Sequence, residues 1–384
     1  MDIMRLANQY AEYMKKIKND LHEHPELSYH EFRTTELIRK NCEKLDLEFI
    51  DTGLPTGIVA VMEGENPGRN IVIRADIDAL PRKVPETGKY GNAFHGCGHD
   101  FHTAALLGAA KILHQQKFDG SITFIFQLAE EATSGARTLK EHHLFDILPY
   151  PIDMMFGFHN NTHMPTGTVG IREGAVMAAK TKFELKIFGK AAHSGEPHKG
   201  VDPIAASAAF IQSFQTITSR NVNPVNPIVC SICTIHGGIA ENLIAEEVTM
   251  TGSIRALGDE VVEYAEDRME SMLRGICESY GCAYQLKKTA HNPSVYNSAE
   301  MTALARKAAL KVTDAEHIIP QQPSLGSEDF AVLGYGIPYF FYMIGDGGTL
   351  GDAPGWHEND FHTDDNALPL AAAVLAQTAL TALE

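Results

Sequence analysis

Short, unbroken apolar runs at Ile58–Met62, Ile71–Ala75, Ile122–Phe126 and Met154–Phe158 punctuate the first part of the chain. Their β-branched and aromatic side chains show no polar alternation, which predicts strands buried on both faces. Helical spacing lies before and between them, over Met4–Leu21, Glu31–Leu45 and Thr103–Leu113, where Leu106, Ala110 and Leu113 recur. Strands and helices in alternation predict an α/β fold with a mostly parallel sheet covered by helices.

The rhythm changes near Lys180. Phe183, Leu185 and Ile187 alternate with Glu184 and Lys186, which predicts a strand with one wet face. A helix is expected over Asp202–Ser219, then strands at Ile228–Ile235 and Val248–Ile254. An amphipathic helix over Glu260–Tyr280 and a last strand at Cys282–Lys287 follow. The order β-α-β-β-α-β is that of a ferredoxin-like unit. The first rhythm then returns with a helix over Ala299–Val312, a strand at Ile337–Met343 and a final helix over Leu368–Leu383. The expected organisation is a larger domain, residues 1–179 with 292–384, into which a smaller one, residues 180–291, is inserted.

At 384 residues the chain exceeds what one hydrophobic core usually fills, in keeping with two domains. Its 32 basic and 49 acidic residues leave a formal charge of −17, which argues against nucleic acid or an anionic membrane as partner. No run approaches the roughly 18 consecutive apolar residues of a membrane span. The N-terminus also lacks the basic start and apolar core of a secretory leader. Cys42, Cys97, Cys230, Cys233, Cys277 and Cys282 are too sparse for a disulfide framework, so the cytoplasm is the expected location. Alternation points Cys230 and Cys233 to opposite faces of one strand, so no redox pairing is expected of them.

Four segments place metal-ligand residue types at strand ends or in loops, where open α/β sheets put their sites. His95-Gly-Cys97-Gly-His99-Asp100 precedes the helix Thr103–Leu113, and thiolate and imidazole suit zinc and similar ions. Gln127-Leu-Ala-Glu130-Glu131 follows a strand; adjacent carboxylates there point apart, so one can bind metal while the other faces substrate. Phe158-His159-Asn160 ends another strand, and Trp356-His357-Glu358 lies in a Gly- and Asp-rich loop. Asp76 and Asp78 end the strand Ile71–Ala75, placed to orient an imidazole from behind. Each segment alone has a plainer reading: a polar loop, an acidic helix start favoured by the helix dipole, a structural histidine, or exposed turn aspartates. Their coincidence in one chain favours a metal centre.

In order and wording the segments resemble the metal-dependent aminoacylase and carboxypeptidase family of peptidases. The branch they resemble holds N-acyl-amino-acid amidohydrolases, hippurate hydrolases, auxin-conjugate hydrolases and N-acetyl-diaminopimelate deacetylases. The resemblance runs almost end to end: L-H-E-H-P-E-L-S from Leu21, R-A-D-I-D-A-L-P from Arg74, H-G-C-G-H-D from His95 and F-Q-L-A-E-E from Phe126. It continues in G-K-A-A-H-S from Gly189, D-P-I-A-A-S from Asp202, H-G-G-I-A-E-N from His236, G-S-E-D-F from Gly326 and H-E-N-D-F from His357.

The resemblance implies a catalytic domain holding two divalent metal ions and a smaller lid domain that also dimerises, giving a homodimer or homotetramer. Carried over by motif, Cys97 would bridge the ions, Glu131 and His357 would complete one site, and His99 and His159 the other. Glu130 would be the general base, with Asp78 supporting a ligand. His193 from the lid would reach the substrate carbonyl, within its own or a partner subunit, and Asn242 would grip a substrate carboxylate. His357 is favoured over His362 because Phe361 and Leu368-Pro369 follow it at the family's spacing. Zinc suits the sulfur best, and manganese, cobalt or nickel also fit five mixed donors.

The implied reaction is hydrolysis of the amide bond of a small N-acyl amino acid by a metal-activated water, with Glu130 as base. A dipeptidase or aminopeptidase-like exopeptidase on the same centre is the alternative. A cysteine hydrolase using Cys97 and His99 would leave Glu131, His159 and His357 without a role. A non-catalytic binding protein would leave the intact base unexplained. Leu128, Gly96 and Ala245 depart from the family's usual proline, alanine and proline. Arg82 and Lys83 replace an apolar residue and an acid, and such a basic pair would favour an acidic substrate.

Overall fold

The computed structural model describes residues 2–82, 92–132, 134–289, 291–358 and 360–384. The chain divides into two compact units. One comprises Met1–Gly174, Tyr296–Gln322 and Asp329–Glu384, the other Ala175–Val295 and Pro323–Glu328.

The first unit is built on an eight-stranded sheet. Its spatial order is Glu48–Ile50, Ile58–Glu63, Ser121–Gln127, Asn70–Asp76, Met154–Asn161, Tyr339–Gly345, Val169–Ile171 and Ile318–Pro320. The four middle strands, from Ser121–Gln127 to Tyr339–Gly345, pair in parallel, and antiparallel strands flank them. Asn70–Asp76 and Ser121–Gln127 are buried along their whole length. Their unbroken apolar character has this cause: helices cover both faces, so no position is left for a polar alternate. The helices His99–Leu113 and Leu368–Leu383 are buried nearly all round, and both belong to this unit's core. Asp365–Leu383 is long and apolar enough to cross a membrane, and 83% of that stretch is buried inside the protein.

Two of the departures from the expected helices have a clear physical cause. The single helix expected over Met4–Leu21 is two, Ile3–Gln9 and Ala11–Glu23, broken at Tyr10, whose N–H reaches back to Leu6 and Ala7. Apolar spacing runs through such a break unchanged, so periodicity does not register it. The helix expected from Thr103 begins one turn earlier, at His99. Its first turn is polar yet buried, and amphipathic spacing has no wet face to find there.

The second unit pairs four antiparallel strands in the order Ile228–Gly237, Glu247–Ala256, Ala179–Phe188 and Ala283–Lys288. Helices Pro203–Thr216 and Asp259–Tyr280 share its core, in which Phe183, Phe210, Phe214, Met250 and Met269 are buried. Chain order and strand order together are ferredoxin-like. Cys230 is buried and Cys233 exposed, and all six cysteines are free thiols.

Candidate metal centre

The parallel strands end at Asp76, Gln127, Asn161 and Gly345, and the candidate residues follow from those ends. The loop after Phe94 delivers Cys97 and enters the helix at His99 through Gly98. Gly98 sits at φ +89°, and a β-carbon there would come within 2.4 Å of Asn160 Oδ1, so the entry admits only glycine. Cys97, His99 and His159 offer ligand atoms within 4.8 Å of one another; so do Cys97, Glu131 and His357. One sulfur is common to both groups.

The ring nitrogens of two histidines are fixed by their partners. His159 Nδ1 lies 2.8 Å from the Asn160 carbonyl, which only accepts, so Nδ1 carries the proton and the Nε2 lone pair faces Cys97 Sγ at 3.4 Å. His99 Nδ1 lies 3.1 Å from Asp78 Oδ1, which leaves Nε2 buried without a hydrogen-bond partner. Carboxylate or carbonyl behind, Nε2 forward, is the arrangement of metal-binding imidazoles. Asp78 is itself buried and held by Ser28 Oγ at 2.6 Å and the Glu131 N–H at 3.1 Å. One carboxylate therefore sets both a histidine ring and the backbone of Glu131.

Glu130 and Glu131 occupy a turn and not the helix start considered from sequence, since the next helix begins at Gly135. Ala129, before them, is left-handed at φ 52°, and its N–H is held by Glu31 Oε1 at 2.8 Å. Glu131 Oε1 is buried without a hydrogen-bond partner, 3.3 Å from His357 Nε2 and 4.0 Å from His99 Nε2. Glu130 groups with His99 and Glu131 within the same 4.8 Å limit. His357 is also left-handed, at φ 67°, and its N–H donates to the Gly96 carbonyl at 2.7 Å, tying its loop to that of Cys97. The adjacent Trp356 ring stacks edge-on against His159 with centroids 4.7 Å apart. His362 belongs to neither group that shares Cys97; its Nδ1 meets the Asp360 carbonyl at 2.9 Å.

The electrostatics ask for a cation. Burial, then Glu131, pushes the Cys97 thiol well above its ordinary range. Burial works against the charge on His99, but Asp76, Asp78 and Cys97 outweigh it and raise the imidazole. Burial drives His159 the other way, well below the usual value. Two buried atoms without hydrogen-bond partners, His99 Nε2 and Glu131 Oε1, sit among carboxylates and a sulfur. That donor set fits divalent ions with mixed sulfur, nitrogen and oxygen ligands. The group Asp76, His99 and His102 also meets the distance limit. There, however, both His102 nitrogens already have partners, Asp76 Oδ1 at 2.5 Å and Asn160 Oδ1 at 2.9 Å.

Sequence reasoning missed the supports. His22 pairs with buried Asp100 at 2.8 Å, Glu26 caps the helix Phe32–Glu43 through the Arg33 and Thr34 N–H groups, and Ser28 reaches Asp78. The L-H-E-H-P-E-L-S motif thus fastens the floor of the centre, and its wording was the signal available. His95 is buried with neither nitrogen hydrogen-bonded, and burial pushes its pKa down to about 4. His193 and Asn242 lie in the second unit, where His193 bridges to Leu243 and the Ser194 N–H donates to the Asn242 carbonyl. A cavity of about 580 Å³ in that unit, lined by Lys180, Lys182, Cys233 and Arg255 among others, contains none of the sequence candidates. Arg82 stacks over the Phe94 ring at 5.1 Å. Lys83 lies outside the described residues.

The fold and the paired donor groups mark the ends of the parallel strands as a candidate metal centre of an α/β protein. A profile of peptidase family M20/M25/M40 matches residues 72–381. The chain is 36% identical over 375 residues to N-acetylcysteine deacetylase of Bacillus subtilis, covering 96% of each. It is 34% identical over 400 residues to thermostable carboxypeptidase 2 of Saccharolobus solfataricus, covering 99% of each. The crystal structure of a dinuclear metal-binding peptidase of the M20 family from Bacillus subtilis superposes with a TM-score of 0.83. The two are 33% identical, over 98% of this chain and 99% of that one. The chain belongs to peptidase family M20/M25/M40, and it is a hydrolase of amide bonds.

Proposed function

We propose that the chain hydrolyses the amide bond of N-acyl amino acids with two divalent metal ions. The observation that carries this reading is the sulfur of Cys97 shared between two donor groups, with a further carboxylate, Glu130, beside them. Cys97 would bridge the ions, His99 and His159 would complete one position, and Glu131 and His357 the other. Zinc is the first choice for a sulfur-containing set, with manganese, cobalt or nickel as substitutes. The ions, when bound, supply a polarised water and positive charge opposite the developing oxyanion.

The residues do the rest. Glu130 accepts the proton of the attacking water and returns it to the leaving nitrogen, so the acyl group leaves as a carboxylic acid and the amino acid as an amine. Asp78 holds the His99 ring and the Glu131 backbone in place. His193 donates to the substrate carbonyl oxygen, and Asn242 holds the substrate carboxylate. The free thiols fit a reducing compartment, so we place the protein in the cytoplasm.

The substrate class is supported by the N-acetylcysteine deacetylase relative, and a peptidase reading by the carboxypeptidase relative. Turnover of a panel of acetyl, benzoyl and longer acyl amino acids, beside dipeptides and tripeptides, separates them. Acyl amino acids are expected to be cleaved with the higher kcat/KM; cleavage of the peptides alone would sink the acyl reading.

The same reading makes the protein a homodimer, or a homotetramer built of such dimers. Ile228–Gly237 is an edge strand of the second unit's sheet; Ile235 on it is 50% exposed, and Ile239, two residues beyond its end, is 89% exposed. An uncapped apolar edge is a template for pairing with its own copy. Ile235→Lys with Ile239→Lys is expected to halve the mass seen by light scattering. An unchanged mass would rule this edge out as the interface.

A further inference from the structure

Three residues that no step above uses, from the motifs at Arg74, Phe126 and Gly326, meet beneath the turn of Glu130 and Glu131. Arg74, Gln127 and Asp329 are each fully buried. Arg74 Nε donates to Gln127 Oε1 at 2.9 Å, Nη1 to Asp76 Oδ2 at 2.9 Å and Nη2 to Asp329 Oδ1 at 2.8 Å. Gln127 Nε2 donates to both Asp329 oxygens, at 2.8 and 3.0 Å. Asp329 Oδ2 also accepts the N–H of Ala136 at 3.0 Å. Gln127 is the last residue before the turn and Ala136 lies just after it, so both ends of the turn are fastened to one carboxylate.

The closure is tight. The Gly135 N–H donates to the Ala129 carbonyl at 2.9 Å, and a β-carbon on Gly135 would lie 1.7 Å from the Leu128 carbonyl oxygen. Glu31 holds the Ala129 N–H from a further side, and Asp78 that of Glu131. The turn is thus pinned at its two ends and at two points along it. A carboxylate 202 residues from Gln127 in sequence has no local reason to be there. A buried charge left without its partner is costly, so the arrangement persists only as a complete set.

We infer that Asp329, acting with Arg74 and Gln127, is a positioning residue: it closes the turn that presents Glu130 and Glu131 and so sets one metal position and the base. The inference rests on the proposed function, in which Glu131 is a ligand and Glu130 the base. It separates the two positions. His99 takes its support from Asp78 and His159 from the Asn160 carbonyl, neither of which passes through Asp329.

The test is zinc titration of the metal-free full-length protein by calorimetry, with mass-spectrometric stoichiometry, on the parent chain, Glu131→Ala, Asp329→Asn and Gln127→Met. The parent is expected to take up two ions and Glu131→Ala one. Asp329→Asn and Gln127→Met are expected to keep one ion at parental affinity and to hold the other on the order of ten- to a hundredfold more weakly, the usual effect of removing a ligand's support. Both should lower kcat more than they change KM. The retained ion reports that the fold is intact, and Gln127→Met decides the matter should Asp329→Asn fail to fold. Two ions bound at parental affinity with unchanged kcat in a folded variant would overturn the inference while leaving the proposed function standing. A parent chain that takes up no pair of ions would overturn the proposed function, and the inference with it.

Discussion

Glu130→Gln is expected to turn over its substrate at least about a hundredfold more slowly than the parent chain and still to take up two metal ions. The expectation rests on a difference between neighbours. Glu131 presents a buried, unpartnered oxygen to His357 and His99, as a ligand should. Glu130 adjoins the same group without belonging to either set that shares Cys97. Glutamine keeps the shape and the two polar atoms of the side chain but cannot accept the proton of the attacking water. A hundredfold loss corresponds to about 2.7 kcal/mol of transition-state stabilisation. The companion variant Glu131→Gln should instead lose one ion of the pair. Steady-state rates beside metal analysis decide it: normal turnover removes Glu130 from the mechanism, and loss of metal reassigns it as a ligand.

What could be read in the sequence depended on the range of the forces that shaped each part. The buried strands were legible because burial on both faces acts residue by residue and leaves an unbroken apolar run, as over Ile71–Ala75 and Ile122–Phe126. The ferredoxin-like order was legible because the second unit's strands keep one wet face. Short strands such as Val169–Ile171 and Ile318–Pro320, three residues each, carry no period and were not seen. Nor could local pattern show that Pro323–Glu328 packs with the second unit while Asp329 packs with the first.

The candidate site divides along the same line. Cys97, His99, Glu130, Glu131, His159 and His357 announced themselves by residue type in distinctive motifs. Burial of charge did not, because no local feature of Arg74 or Asp329 says that a partner lies 255 residues away. Glu31 reads as an ordinary helix-start acid, yet it is fully buried and holds the Ala129 N–H and the Thr56 hydroxyl. Burial, and after it the charge of Asp78, pushes its pKa up, and the hydrogen bonds work against that shift. Such supports are invisible until the fold brings distant motifs together.

Chelation is expected to abolish activity and a divalent ion to restore it, whereas a hydrolase using Cys97 as its nucleophile would work on without metal. Cys97→Ala sharpens the same contrast. If its sulfur belongs to both donor sets, the substitution weakens both ions at once, while His159→Ala weakens one. Four-ligand zinc sites bind with about 10–16 kcal/mol, so one ligand is worth about 3 kcal/mol and its loss roughly a hundredfold in affinity. With both ions affected, Cys97→Ala should show no turnover at micromolar metal and partial recovery at millimolar metal. A cysteine nucleophile gives the opposite pattern, since no concentration of metal can replace the atom that forms the acyl bond. Recovery of hydrolysis with rising metal in Cys97→Ala would therefore exclude the thiol mechanism. Two ions held by that variant at parental affinity would instead show that the sulfur bridges nothing.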